Sequence, residues 1–255
     1  MAQLFSQDSF NQFIMDNNVV GFFPQSIKLK SGRMSNWYVN WRNVSGDVYS
    51  MEQLADYVIK FTRDMGLNPD CFYGVPEGAT KLGMVTQYEW ARQSPGYGKG
   101  SHPFPMGRAK PKEHGAPKDR YFVGEPKGGT IITEDVTTTG GSLLSSVTGV
   151  KENEGSRIIS AFGLTNRMEL TPVPGKDGIE VVGNFSKIFK NATGKDYTQA
   201  MSVQEALAAA GVPYHALANA RDLLPEAYAR LKPGENIKQS IEHEFRDVGI
   251  EEIKL

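Results

Sequence analysis

The sequence predicts an α/β protein: a central, mostly parallel sheet flanked by helices, with a small N-terminal subdomain. Three observations carry this. Strand-like and helix-like patterns alternate through the middle of the chain, as they do when helices connect parallel strands. The strand at 129–133 has no polar face, the mark of a strand covered on both sides. Ahead of that region, two short extended pieces are split by Ser31, Gly32 and Arg33, which reads as a separate hairpin with a glycine turn.

The elements follow in order. Leu4, Phe5, Phe10, Phe13 and Ile14 fall near helical spacing and predict an amphipathic helix over residues 4–17. The hairpin strands are predicted at 26–30 and 36–41. Leu54, Val58, Ile59 and Met65 return to helical period over 51–65. A strand at 71–75, a helix at 79–92, a strand at 129–133, a helix at 142–152 and a strand at 157–164 come next. Ser202 and Glu205 form a capping box that opens a helix over 203–210. A last strand at 212–217 and helices at 218–231 and 236–248 complete the chain. Two stretches break the rhythm. Residues 96–127 are rich in Gly, Pro and Lys without a clear period; a loop of that length is usually functional or mobile. Residues 171–198 hold two prolines and four glycines and predict an excursion between elements. With no internal repeat and no low-complexity linker, the expectation is one domain over 1–255. Its N-terminal part is 1–45 and its core 46–255, with a flexible loop near 99–128 and an insertion near 171–198.

Composition narrows the function. The chain has 255 residues with 28 Lys and Arg against 29 Asp and Glu, a net charge of -1, so coating of nucleic acid by bulk positive charge is not expected. Cys71 is the sole cysteine, which excludes an internal disulfide and suits a reducing compartment. The N-terminus lacks a basic region followed by an apolar one, and no apolar run approaches the roughly 20 residues that span a bilayer. A cytoplasmic protein with no membrane partner is expected.

One stretch carries the most chemical information: Ile131-Ile132-Thr133-Glu134-Asp135-Val136-Thr137-Thr138-Thr139-Gly140-Gly141-Ser142. An apolar strand runs into two adjacent carboxylates, then a turn of hydroxyl and glycine residues, then a helix. Such a turn aims backbone N–H groups at one spot, where the helix dipole also favours an anion. The glycines let the backbone approach closely, and the threonine hydroxyls add donors. The carboxylates beside that spot suit ribose hydroxyls or a cation. The stretch is neither a P-loop nor a dinucleotide fingerprint, because Gly-Lys-Ser/Thr and G-x-G-x-x-G are both absent from it.

The stretch resembles the phosphoribosyl-diphosphate (PRPP) signature of type I phosphoribosyltransferases, and its TTTGG form is similar to that of the orotate phosphoribosyltransferases. Three further segments in the same order support the resemblance. The segment from Lys28 through Lys30, Ser31 and Gly32 to Tyr38 and Asn40 is similar to the family's K-S-G-x-x-S-x-Y segment. Arg108-Ala109-Lys110-Pro111-Lys112-Glu113-His114-Gly115 resembles its flexible R-K-x-x-K-x-H-G loop. Leu164-Thr165-Asn166-Arg167 resembles its D-R segment.

The resemblance implies the type I phosphoribosyltransferase fold with an N-terminal hood. It also implies Mg²⁺-dependent transfer of phosphoribosyl from PRPP to orotate, giving orotidine 5′-monophosphate and pyrophosphate in pyrimidine synthesis. Mg²⁺ would be bound mainly by PRPP, with no dedicated protein metal site. Arg108, Lys112 and His114 would clamp the pyrophosphate, with Lys110, Lys30 and Lys81 adding charge. Glu134 and Asp135 would hold the ribose hydroxyls, and Thr137, Thr138, Thr139, Gly140, Gly141 and Ser142 the 5′-phosphate. Arg167 would pair with the orotate carboxylate in a forked geometry, Thr138 would bond the pyrimidine, and Tyr38 and Val39 would form its apolar wall. A homodimer whose basic loop reaches into the neighbouring site is implied as well. The segment 99–120 fits a polyanionic substrate, with six Lys or Arg against two acids in a chain whose net charge is -1.

The chain departs from the family pattern at Ala109, where a second basic residue is usual, at Asn166 in place of Asp, at Asn36 in place of Pro, and in the length of 171–198. The alternatives are a phosphoribosyltransferase for another base and a PRPP-sensing regulator without catalysis. No helix-turn-helix or RNA-binding motif supports the regulator.

Overall fold

The computed structural model describes residues 4–110, 112–114 and 120–255; Pro111 and Gly115 of the basic loop, with Lys118 and Asp119, lie outside the described residues. The chain opens on helix α1 (Gln7–Asp16), capped by the Ser6 hydroxyl, which accepts from Ser9 N at 3.3 Å. Strand β1 (Val20–Lys28) pairs antiparallel with β2 (Met34–Val39) as the predicted hairpin. β1 begins earlier than its sequence pattern suggests, because the short apolar run from Val19 to Phe23 is already strand. Pro24 sits where the ladder register shifts between Phe22 and Ile27, the kind of irregularity that accommodates a proline. The connecting turn closes through Gly32 N donating to Leu29 O at 2.9 Å, and Gly32 takes φ 88°, which glycine reaches without strain.

A single helical turn α2 (Arg42–Ser45) leads to α3 (Val48–Asp64), which Asp47 caps. Strand β3 (Cys71–Gly74), helix α4 (Thr80–Arg92), strand β6 (Gly128–Thr137), helix α5 (Gly141–Lys151), strand β7 (Ser156–Asn166), helix α7 (Val203–Ala209) and strand β8 (Tyr214–Asn219) then build the sheet. Its order is β3-β6-β7-β8, and all three pairings are parallel. Consecutive strand residues serve opposite faces, as the period of two requires. Phe72, Ile131, Phe162 and Leu217 pack with α1, α3, the hairpin and the two last helices, α8 (Ala220–Leu231) and α9 (Glu235–Val248). Tyr73, Ile132, Ala161 and Tyr214 pack with α5 and α7 on the other face. Among the described residues, no helix is long and apolar enough to cross a membrane.

Two expectations of irregular chain are corrected. The basic loop stands on a small antiparallel ribbon, β4 (Met106–Gly107) with β5 (Phe122–Val123), extended by Arg108 N donating to Tyr121 O and Lys112 N to Arg120 O, each at 2.8 Å. The excursion at 171–198 contains a helix of four turns, α6 (Ile179–Thr193). Its apolar residues do follow helical spacing, but Gly183 inside it and the flanking Gly178 and Gly194 hide the period in the sequence.

A buried ionic cluster ties these parts together. Arg33, next to the hairpin turn, donates to Glu169 Oε2 at 3.0 Å and to Asp177 Oδ2 at 2.7 Å. Glu169 Oε1 accepts from Arg167 Nε at 2.6 Å, and Arg167 Nη2 donates to Glu244 Oε1 of α9 at 2.8 Å. Asp177 lies just ahead of α6, so the hairpin, the exit of β7, the insertion and the last helix share one charge network. Arg33→Met would take the paired guanidinium from Asp177 and from one oxygen of the buried Glu169. We expect a loss of about 3 kcal/mol in urea unfolding; a loss below about 1 kcal/mol would show that the cluster does not brace the fold.

Candidate active site

The carboxyl end of β6 opens onto a cleft of about 750 Å³. Glu134 and Asp135 line it from the last turn of the strand, followed by Thr138, Thr139 and Gly140, and by Gly141 and Ser142 at the start of α5. Gly140 caps that helix with φ 78°, and a side chain there would also press on Val203. Leu144 N donates to Gly140 O at 2.9 Å, the first bond of the helix. The amides before it lack helical partners and lie at the cleft, an arrangement that suits an anion.

The hairpin forms the facing wall with Leu29, Lys30, Ser31, Tyr38 and Val39. Lys30 reaches across and donates to the Ser142 hydroxyl at 3.2 Å, placing an ammonium at the start of α5. The β3–α4 turn adds Pro76, Glu77 and Gly78. A side chain on Gly78 would run into the Asp135 carboxylate, which would have to shift. Arg42 and Arg167 also face the cleft.

The predicted site residues divide. Lys30, Tyr38, Val39, Glu134, Asp135, Thr138, Thr139, Gly140, Gly141, Ser142 and Arg167 share one cleft. Thr137 does not reach it: its side chain is wholly buried, since the strand alternation that exposes Thr138 turns Thr137 under the cradle. Lys81 is exposed and donates to Ser45 O at 2.9 Å, outside the cleft lining. Arg108, Lys110, Lys112 and His114 also stand outside it; among the described residues of their loop, only Ala109 lines the cleft. The forked pairing expected of Arg167 with a substrate carboxylate is closed in this structure. Its donors already serve Glu169, Glu244, the Ser35 hydroxyl and Trp37 O, leaving one of five N–H groups. Sequence reasoning missed a further wall, Val181, Asn184, Phe185 and Ile188 of α6.

Burial dominates the electrostatics. It pushes the Glu134 carboxyl up to about 8, reinforced by the neighbouring Asp135 and opposed by Lys30. Asp135 is raised as well by burial, against hydrogen bonds from backbone amides and the charges of Arg42 and Lys30. Both shifts favour the neutral forms, so the pair repels an anion in the cleft less than two free carboxylates would.

No protein-family model matches the chain. It is 35% identical over 150 residues to the orotate phosphoribosyltransferase of Rhodopseudomonas palustris strain TIE-1, covering 56% of this chain and 74% of that protein. To the orotate phosphoribosyltransferase of Bradyrhizobium sp. strain BTAi1 it is 28% identical over 208 residues, covering 78% and 88%. Among solved structures, Leishmania donovani UMP synthase superposes with a TM-score of 0.63 at 17% identity, covering 95% of this chain and 42% of that one. The Francisella tularensis orotate phosphoribosyltransferase gives 0.58 at 17% identity, covering 94% and 99%. At such identity the structural likeness is one of fold.

Glu134 makes stability depend on pH. Its carboxyl holds a proton to about 8 when folded and returns to the ordinary 4.5 on unfolding. Between these values the folded chain binds the extra proton, so stability is full below the lower value and falls as pH rises toward the upper. Glu244, raised by burial to about 7, acts in the same direction. Glu134→Gln should flatten the decline in unfolding free energy across this window, by an amount on the order of a few kcal/mol. An unchanged slope would mean that Glu134 is ionised in the folded chain.

Proposed function

The chain belongs to the orotate phosphoribosyltransferase family, and from that membership we propose how its cleft performs the family's reaction, transfer of phosphoribosyl from PRPP to a ring nitrogen of orotate with release of pyrophosphate. The observation that carries the reading is the Lys30–Ser142 contact, which joins the hairpin to the cradle after β6 and makes one site of two distant motifs. Residues 1–255 act as one catalytic unit in this reading, with the hood at 1–45 over the core at 46–255.

The 5′-phosphate sits against Thr138, Thr139, Gly140, Gly141 and Ser142, where free amides and the helix dipole meet it. Glu134 and Asp135 take the ribose hydroxyls. A protonated Glu134 can donate one hydrogen bond while Asp135 accepts, so a diol is matched without two full charges beside a phosphate. Mg²⁺ would be held mainly by oxygens of PRPP itself, with the Asp135 carboxylate beside them at the cleft. When bound, it supplies charge neutralisation at the pyrophosphate. Tyr38 and Val39 wall the base, Thr138 bonds its edge, and Arg167 contributes its remaining N–H.

As the glycosidic bond to pyrophosphate weakens, positive charge grows on the ribose and negative charge on the leaving group. Stabilising that leaving group is work for fixed cations. Arg108, Lys110, Lys112 and His114 are assigned this role. Their place outside this chain's own cleft fits delivery by the loop of a second copy, so a homodimer is part of the proposal. A cytoplasmic location is too, and rests on the single buried thiol of Cys71, which suits a reducing compartment.

With Mg²⁺ and PRPP, the protein should deplete orotate absorbance, and it should do so faster than for other bases in a panel. No depletion at high enzyme concentration would overturn the reading. Lys112 is exposed, so Lys112→Ala should cut turnover by about 10²-fold with no change in melting temperature. A matching fall in melting temperature would remove Lys112 from the machinery.

A further inference from the structure

Helix α6 presents one face to the cleft. Val181, Asn184, Phe185 and Ile188 line it, and their spacing is that of a single stripe along a helix. Two close approaches locate the stripe. A side chain on Gly32, in the turn beside Lys30, would come within 3.5 Å of Val181 Cγ2; one on Gly141, in the phosphate cradle, would lie 3.8 Å from Phe185 Cδ2. Asn184 comes three residues after Val181, at the edge of that face, and lines the same cleft as Lys30 and the Gly140–Ser142 turn.

Both ends of the helix are anchored. Asp177 binds Arg33 ahead of it, and after it Tyr197 packs against Phe185 and Phe189 with ring centroids 4.9 and 5.5 Å away. The Tyr197 hydroxyl meets Thr171 Oγ1 at 2.6 Å, which closes the base of the insertion. The stripe is thus held against the cradle by packing that does not involve Asn184. Asn184 is exposed, and its carboxamide makes no hydrogen bond among the described residues. A single amide donor with open valence, on an otherwise apolar stripe facing an anion cradle, is placed to meet an anion.

We propose that Asn184 is a substrate-binding residue of this chain, donating from its side-chain amide to the 5′-phosphate end of the ribose phosphate. The proposal rests on the reading of the cradle as the 5′-phosphate site and adds to it a ligand supplied by the insertion.

The test is calorimetric titration of the full chain with ribose 5-phosphate and, separately, with pyrophosphate. Asn184→Ala should weaken ribose 5-phosphate by about tenfold, the usual effect of one hydrogen bond to a charged group, and leave pyrophosphate within about twofold. Asn184→Asp should weaken ribose 5-phosphate further, because it sets a carboxylate against the phosphate. In turnover, the alanine variant should raise KM for PRPP more than it lowers kcat. Ribose 5-phosphate affinity unchanged in both variants, or an equal loss for both ligands, would overturn the assignment. Orotate depletion by the unmodified chain reports on the family reaction by itself, so failure of Asn184 alone leaves that reaction standing.

Discussion

Glu169 is almost fully buried, and each of its carboxylate oxygens is held by a different guanidinium: Oε1 by Arg167 and Oε2 by Arg33. An unpaired carboxylate at that depth would cost several kcal/mol. The two arginines must therefore stay, and each carries a structural element with it. Arg33 brings the hairpin turn with Lys30 two residues behind its glycine, and also grips Asp177 of the insertion. Arg167 lies on the Trp37 ring, 3.8 Å from its centre, and reaches Glu244 on the last helix. The cleft walls from the hairpin, β7 and α6 are thus positioned by one charge cluster lying outside the phosphate cradle itself.

The cleft meets two opposed demands. In the proposed reaction it must attract phosphates, and it must carry acids for the ribose hydroxyls. The first demand is met by backbone amides at the start of α5 and by the Lys30 ammonium, which need no counter-charge of their own in the cradle. The second is met by carboxylates whose burial favours the neutral form, Glu134 most of all. Burial that is costly for stability thereby softens the repulsion of an anion beside those acids. The same economy appears at Arg167, whose positive charge is already balanced by two acids, so the base end of the cleft carries little free charge.

The insertion changes the surroundings of the cradle without changing the cradle. In the sequence it departs from the family's usual length; in space it supplies a fourth wall. Helix α6 packs along α5 and contributes Phe185 and Phe189 to the same apolar cluster as Leu143 and Val147. A helix that is part of the core on one side and part of the cleft on the other couples the phosphate end of the site to the packing of that sheet face.

Much of the fold was legible because it is local. The alternation of apolar strands and amphipathic helices marks the parallel sheet, and the capping box at Ser202 and Glu205 marks α7 through contacts only three residues apart. The phosphate cradle was legible for the same reason, since β6, its turn and the start of α5 are contiguous and the chemistry is written in backbone conformation and glycine. What the tertiary structure alone decided are contacts between distant residues and the direction of individual side chains. Lys30 and Ser142 are 112 residues apart, and Arg167 and Glu244 are 77. Thr137 and Thr138 are chemically alike in the sequence, yet the pleat buries one and offers the other. Lys81 sits after the expected turn but extends to Ser45. The α6 wall was hidden by glycines and prolines that weaken a helix in isolation, and it forms because burying Phe185 and Phe189 against α5 and Tyr197 outweighs that weakness.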